Sequence, residues 1–374
     1  MPAEFSLPSW ALPLLFGALG ACIGSFLNVV IYRVPRGLSV NEPRRSFCPT
    51  CKQLIPWYNN IPIFSWLILC GKSACCHTKI TFRYCFVELA CALLCASVAY
   101  HHPLAPLPAQ LALVLWLVMA IVVIFIDAEH MLVYRSQTII GTMAGLIAGA
   151  FYPLIIPLEE ISTWTDALYY SGLGAAGGFM LMWLIAWLGK LAFGSWKKDY
   201  TTPVPWTLEE AQNENDEMKI IIDNNTTHGW SELFYRDSDK AHLCGGELII
   251  DDTLRLTGDF TLYVDKIQVQ GTDKVFLLAD IRSAHGTLCS IQANREAMGS
   301  GDAWIMMMIG AIGSWPCVIF SLFTGAILGL IYAVLTRIGF GKNIPFGPAL
   351  LTAAIIWLLG GSQWWDAYLR FLSE

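Results

Sequence analysis

The sequence predicts a polytopic α-helical membrane protein of about eight transmembrane helices, with a cysteine-bearing polar loop and an inserted, mainly-β soluble module. Three observations carry this. The 374-residue chain is 55% hydrophobic and only 14% charged, whereas a soluble enzyme is nearer a quarter charged. Apolar runs recur at lengths suited to a hydrocarbon core of about 30 Å, which takes about 20 helical residues to cross. One interval, 195–297, breaks that pattern with short β-branched runs separated by Asp, Gly and Thr.

The runs lie near 9–32, 86–100, 108–127, 138–157, 167–193, 303–313, 317–336 and 347–361, and two of them are short for a full span. In the first, Leu19-Gly20-Ala21-Cys22 resembles a lipoprotein cleavage box. Glu4 and the lack of Lys or Arg before it remove the basic region of a secretory signal, so the segment reads as a retained helix. The break between the sixth and seventh runs is expected at Trp315-Pro316. Charge then sets the orientation. The loop from Arg33 to Arg83 contains Arg33, Arg36, Arg44, Arg45, Lys52, Lys72, Lys79 and Arg83 against a single acid, Glu42. By the positive-inside rule it is cytoplasmic. Counting onward puts 158–166, with Glu159 and Glu160, outside, and Lys190, Lys197, Lys198, Arg337 and Lys342 inside. Asp127 and Asp302 then share one membrane face.

Within the basic loop, Cys48-Pro49-Thr50-Cys51 is a CxxC, and "LCGKSACCHTKI" supplies Cys70, Cys75, Cys76 and His77. Thiolates and an imidazole closing a loop of this size suit a tetrahedral zinc site. A cytoplasmic position argues against a disulfide. The competing reading is free thiols with Cys70 as apolar filler; the polar setting of the CxxC favours the metal. The basic loop is also placed to meet lipid head groups.

In the insert, 199–240 is acidic and loop-like, and 246–283 has strand spacing. Asp251, Asp252, Asp259, Asp265 and Asp273 fall at turn positions without the spacing of a calcium loop, so they read as solvated turns.

Ionisable groups in or at the ends of spans are expensive and point to function. Asp127 ends "LVLWLVMAIVVIFID", and Asp302 follows "MGSG" at the mouth of an apolar run. Glu88, in the second span, reads equally well as a hydrogen bond within the bundle. Either aspartate alone is explained as a helix-end residue, Asp302 with support from the helix macrodipole. Two carboxylates at one poorly solvated face do more: they share a proton, one activating water and the other protonating a leaving amine. Gly299 and Gly301 beside Asp302 allow unusual dihedrals and close approach of an extended peptide.

Taken together, "GSFLNVVIYRVPRGLSV" (24–40), "CPTC" (48–51), "IPWYNNIPIFSWLIL" (55–69), "FRYCFVEL" (82–89), "FIDAEHML" (125–132), "MGSGD" (298–302) and "IPFGPALL" (344–351) resemble the bacterial type IV prepilin leader peptidases, within the GxGD intramembrane aspartyl proteases. The stretches occur in family order and cover the membrane part; 195–297 lies outside the resemblance. The resemblance implies a bacterial inner-membrane endopeptidase with a cytoplasm-facing site. Its partners are type IV prepilin or type II secretion pseudopilin precursors, cut after a glycine that precedes a hydrophobic helix. In many members S-adenosylmethionine then methylates the new terminus. It assigns catalysis to Asp127 and Asp302, with Gly299 and Gly301 positioning the substrate backbone.

Two departures stand out. The family's Pro-Asp pair beyond the first aspartate is Tyr134-Arg135 here. The second CxxC lacks its first cysteine, where Ser73 stands, so the metal set is Cys48, Cys51, Cys76 and a fourth ligand. Cys75 is chosen, with His77 and Cys70 behind it. The expected divisions are 1–32 (first helix), 33–85 (zinc loop), 86–194 (helices two to five), 195–297 (β-rich module) and 298–374 (GSGD loop and helices six to eight). No nucleic-acid partner is expected. The rival readings are a non-catalytic membrane scaffold with a zinc loop, or a member retaining one of the two activities.

Overall fold

The computed structural model describes residues 8–42, 46–48, 50–156, 158, 161, 163–193, 195–209, 218–223, 226–234, 239–271, 274–294, 299–336 and 345–373. Arg44, Arg45, Glu159, Glu160, Asp273, Met298, Arg337 and Lys342 lie outside the described residues. The chain divides into two units, residues 1–182 with 300–374, and residues 183–299.

The first unit is helical. Its helices are α1 (Ala11–Arg33), the short α2 (Phe64–Ile68), α3 (Arg83–His101), α4 (Leu107–His130), α5 (Arg135–Phe151) and α6 (Trp164–Phe193), whose last turns pass into the second unit. Among the described residues, five helices, α1, α3, α4, α6 and the later α8, are long and apolar enough to cross a membrane. The fourth predicted run forms only the 17 residues of α5. Apolar segments cannot use hydrophobicity to choose partners within lipid, so close packing of small residues decides which helices meet. A Cβ on Gly20 would sit 2.6 Å from the Cys91 carbonyl oxygen, and one on Gly24 2.8 Å from the Glu88 Cα, which brings α1 onto α3. Helix α4 is the inner element, with Ala109, Trp116, Val123 and Ile126 fully buried.

The second unit is an eight-stranded sheet. Its elements are β1 (Ser195–Glu209), β2 (Lys219–Ile222), β3 (Thr226–Gly229), the one-turn α7 (Trp230–Leu233), β4 (Lys240–Ile250), β5 (Leu254–Leu262), β6 (Lys266–Val269), β7 (Val275–Leu277) and β8 (Ala284–Asn294). The order is β3-β2-β1-β8-β4-β5-β6-β7, and every neighbouring pair is antiparallel. The described residues of 199–240 are therefore largely strand and not loop: they contribute most of β1, all of β2 and β3, and the start of β4. The alternation that builds these strands is short and flanked by acids, yet Val204 and Trp206, then Ile220 and Ile222, all point inward. With Leu243, Phe260 and Leu288 they form one core, each large side chain stabilising the fold by about 1.5–3 kcal/mol. The first and last residues of the sheet, Ser195 and Asn294, are register partners.

Two of the turn acids accept backbone amides of the module. Asp251 Oδ1 accepts the Arg282 and Ser283 amides at 2.8 and 2.9 Å, and Asp259 Oδ1 accepts the Gly245 amide at 2.8 Å.

The chain returns to the first unit with α8 (Ser300–Leu335), α9 (Gly347–Ile356), a π-helical stretch at Trp357–Gly361 and α10 (Ser362–Ser373). The sixth and seventh runs are thus one helical stretch. It is broken at Ser314 (φ 57°, ψ −161°), two residues before Pro316. The proline has no amide hydrogen to give the preceding turn and crowds it; the buried Ser314 hydroxyl is satisfied by the Tyr170 carbonyl of α6 at 2.9 Å.

Candidate active site and metal centre

Helix α4 is entered through Pro106 in an extended conformation with Pro108 in its first turn, where the missing amide hydrogen does no harm. It is cross-linked midway by the fully buried Trp116, whose Nε1–H donates to the Met308 carbonyl of α8 at 3.0 Å. It ends at Met131, which adopts φ 53° and returns its amide hydrogen to the Asp127 carbonyl at 2.9 Å. Asp127 thus occupies the last turn, and its side chain is buried, 6% exposed.

Asp302 lies in the first turn of α8 and is half-buried. Gly301 before it is helical, so unusual dihedrals are not what it supplies. Its use is steric: a Cβ there would stand 2.8 Å from the Val133 Cβ. The start of α8 therefore packs on the segment just beyond Asp127. Gly299 is half-buried and immediately precedes α8.

A third element closes the arrangement. Gly347 opens α9, and a Cβ on it would lie 2.5 Å from Asp127 Oδ2 and 2.6 Å from Ile305 Cδ1. Asp127, Ile305 and Gly347 thus meet at one point, and Ile305 is one helical turn beyond Asp302 on the same face. The apolar wall includes Ala303, Ile305 and Met306, all buried. Charged groups ring this end: Arg83 pairs with Glu129 at 2.5 Å, and the Arg135 guanidinium lies 5.4 Å from the Trp304 ring centroid. Sequence reasoning gave Gly347 no role, although it falls inside the family-like stretch 344–351. Only the packing of α9 reveals what that glycine does.

Glu88 is elsewhere. Its Oε2 accepts the Ile63 amide hydrogen at 2.7 Å, fastening a turn in which Ile63 has φ 65°. Such a φ is costly for a β-branched residue. The first arginine of the basic loop is also committed: buried Arg33 donates through Nη1 to the Ser39, Val40 and Glu42 carbonyls.

The cysteine loop forms two matching knuckles. In one, Phe47 bridges Leu54 and the Lys52 amide donates to the Cys48 carbonyl. In the other, Lys72 bridges Lys79 and the His77 amide donates to the Ser73 carbonyl. The residue after each second cysteine, Lys52 and His77, takes a left-handed φ of 61° and 55°. Ser73 therefore occupies the first-cysteine position of the second knuckle, and Cys75 takes its place. The Sγ atoms of Cys48, Cys51, Cys75 and Cys76 lie within 4.8 Å of one another. Individual separations are 3.6 Å (Cys48–Cys76), 3.3 Å (Cys51–Cys75) and 3.9 Å (Cys75–Cys76).

Four thiolates at about 2.3 Å from one zinc ion stand roughly 3.8 Å apart, so this donor set fits a tetrahedral metal. His77 and Cys70 are not in the cluster. The Ser73 hydroxyl, then the Thr78 hydroxyl and amide, stabilise the Cys76 thiolate and bring its pKa down to about 5. The Cys51 amide lowers Cys48. At Cys51 the Gln53 amide favours the thiolate, but the Cys75, Cys48 and Cys76 thiols, with burial, push it up to about 12. One metal would relieve that competition among neighbouring sulfurs.

Comparison with known proteins adds an independent finding. Residues 18–102 match the model of the bacterial peptidase A24 N-terminal domain, and residues 269–334 match that of the type IV leader peptidase family. A prepilin leader peptidase/N-methyltransferase of Stutzerimonas stutzeri is 27% identical over 379 residues, covering 94% of this chain and 92% of the relative. Proteins of the same name from Klebsiella pneumoniae and Dichelobacter nodosus are 34% and 35% identical. These alignments cover 50% and 48% of this chain, and 82% and 67% of those relatives. No solved structure matches the chain. By these similarities the chain belongs to the type IV prepilin leader peptidase family.

Proposed function

We propose that the chain is a membrane-embedded aspartyl endopeptidase that removes the N-terminal leader of type IV prepilins or type II secretion pseudopilins, with Asp127 and Asp302 as the catalytic pair. The observation that supports this most is the meeting of the Asp127 carboxylate with α9 and the first turns of α8, in a chain of this family. The pair shares one proton. The ionised carboxylate takes a proton from water as its oxygen attacks the carbonyl carbon of the leader's terminal glycine. The protonated partner gives its proton to the departing amide nitrogen, so the C–N bond breaks and the pair ends with the proton exchanged. Gly301 keeps the α8 entry close to Val133, and Gly299 leaves room for an extended substrate backbone.

The surrounding assignment follows from the same reading. The protein is an inner-membrane protein with the site facing the cytoplasm. Helix α8 makes two passes that meet at Ser314; with α5 and α9 counted, the passes number about eight. Cys48, Cys51, Cys75 and Cys76 hold a structural zinc ion that keeps the two knuckles folded. Methylation of the trimmed terminus, using S-adenosylmethionine, is the second activity, suggested by the name the relatives carry.

The test is cleavage of a prepilin-like precursor by purified enzyme in detergent, read by mass spectrometry. Asp127→Asn and Asp302→Asn should each abolish cleavage. Retention of wild-type turnover by either variant would remove that aspartate from the mechanism. Methylation is scored separately, as a one-methyl mass increment on a pre-trimmed substrate.

A further inference from the structure

Between Lys52 and Lys72 the chain carries no charged side chain, and no acid occurs between Glu42 and Glu88. The stretch 53–71 has the length of a span, yet Pro56 and Pro62 interrupt it, and its α-helix, α2, has five residues. Its large apolar side chains face outward. Trp57, Tyr58, Ile61, Phe64, Leu67 and Ile68 are all exposed, Trp57 by 80% and Ile68 by 77%. Exposed apolar groups gathered in this way mark a surface that something else covers. The contacts of the stretch give the depth at which that surface sits. The Ile63 amide hydrogen goes to Glu88, in the second turn of α3, a helix able to cross a membrane. At 1.5 Å per residue, Glu88 is about 7.5 Å along the axis from Arg83. The Trp66 Nε1–H donates to the Ile80 carbonyl at 3.2 Å. Its ring starts an aromatic ladder through Phe82 and Phe86 to Phe125 of α4, with centroids 5.3, 6.3 and 6.2 Å apart. Phe82 and Phe86 are exposed, so the ladder runs along the outer side of α3. The ends of the stretch are drawn together by the four clustered cysteines, Cys48 and Cys51 before Lys52, Cys75 and Cys76 after Lys72. The result is a closed loop with cations at its neck and apolar groups beyond them.

We propose that residues 53–71 form an interfacial loop that enters the lipid bilayer, with Trp57, Phe64 and Ile68 in the boundary between head groups and acyl chains. The leaflet is the one that holds the Arg83 end of α3. Lys52 and Lys72, both exposed at the neck, meet the anionic phosphates of the head groups. Trp57 and Tyr58 suit the boundary itself, because each has an apolar ring and a polar edge. The backbone sets the limit of entry. Irregular chain is not tolerated in contact with hydrocarbon, so the loop lies in the boundary and does not cross. Arg83 pairs with Glu129, two residues beyond Asp127, and the covered leaflet therefore borders the candidate active site. The proposal requires α3 to span the membrane and is independent of the roles of Asp127 and Asp302.

The experiment uses the full-length protein in nanodiscs of phosphatidylethanolamine and phosphatidylglycerol. A fluorescent amino acid, excited where tryptophan is silent, replaces Trp57, Phe64, Ile68 or, as the reference, Lys79 by stop-codon suppression. All four side chains are exposed, so each substitution leaves the packing intact; a variant whose thermal melting falls is replaced by one labelled at Tyr58 or Leu67. Quenching is read with iodide in the water and with nitroxides carried at two depths on the lipid. Labels at 57, 64 and 68 should resist iodide. The shallow nitroxide should quench them about twofold more than one at the bilayer centre, as expected of groups about 5–10 Å into the boundary. The label at 79 should show the reverse, with iodide dominant. Iodide quenching at 57, 64 and 68 equal to that at 79, with no response to either lipid nitroxide, would overturn the proposal. So would strongest quenching from the bilayer centre, which would make the stretch a span. Labels that are open to iodide in nanodiscs alone and shielded only when a prepilin-like precursor is added would also overturn it, and would assign the surface to the precursor.

Discussion

Gly347→Ala is the sharpest test of how the site is built, because it adds one methyl group at a single defined point. The new Cβ would sit 2.5 Å from Asp127 Oδ2 and 2.6 Å from Ile305 Cδ1, whereas ordinary contact begins at 3.4 Å. Gly347 has no left-handed φ, so the backbone accepts alanine and the effect is steric. The Ile305 terminus can swing aside, but the buried carboxylate has less room, and it must move by about 1 Å. Displacements of that size cost about 100-fold in turnover when a reacting group is misplaced. The added strain on the fold is limited to about 1–3 kcal/mol. The assay is precursor cleavage under saturating substrate, with thermal melting run in parallel. Gly329→Ala is the control, since its Cβ would be 3.7 Å from the nearest atom, and it should leave both measurements unchanged. A Gly347→Ala enzyme with kcat close to wild type would show that Asp127 is not held at the chemistry by this contact, and the mechanism built on it would fail.

Further outcomes follow from the same geometry. Cys75→Ser should lower bound zinc measured by elemental analysis, and the double variant Cys75→Ser with Ser73→Cys should restore it, because Ser73 occupies the regular ligand position of its knuckle. Chelation should make Cys48, Cys51, Cys75 and Cys76 alkylate faster, read by peptide mass spectrometry, while the far-ultraviolet helical signal persists. If all four thiols react as fast before chelation as after it, the metal reading is wrong. Glu88→Ala should leave the Ile63 amide without its acceptor, costing about 1–3 kcal/mol locally. Hydrogen exchange at residues 61–69 should speed up while exchange in α4 does not.

How much of this was legible in the sequence depended on the range of the interactions involved. Continuous hydropathy located α1, α3, α4 and α6, since a span is a local property of about 20 residues. The break in α8 was also local, because Pro316 cannot donate to the preceding turn, although the distorted residue is Ser314. The first three strands of the sheet were hidden. Their alternating apolar residues, such as Val204 and Trp206, are few, and the neighbouring acids of 209–217 dominate any average. In the cysteine loop, spacing pointed to Cys48, Cys51 and Cys76, and the choice of Cys75 over His77 became geometric once His77 proved to be the left-handed residue closing its knuckle. At the candidate site the two aspartates were visible as charges where charges are costly. Gly347 was not, because its meaning lies in a contact with a residue 220 positions away, and a glycine carries no local signal of what approaches it.

The pairing of Ser195 with Asn294 has a consequence for the whole chain. The sheet module leaves and re-enters through adjacent strands, so its two ends are separated by about 5 Å, the spacing of paired residues. To the membrane helices it is topologically equivalent to a tight hairpin. A module attached in this way can be acquired, exchanged or lost in one genetic event without asking α6 or α8 to change length or direction. Its surface is therefore free to diverge at its own pace while the helices that carry Asp127 and Asp302 stay under the constraints of their packing.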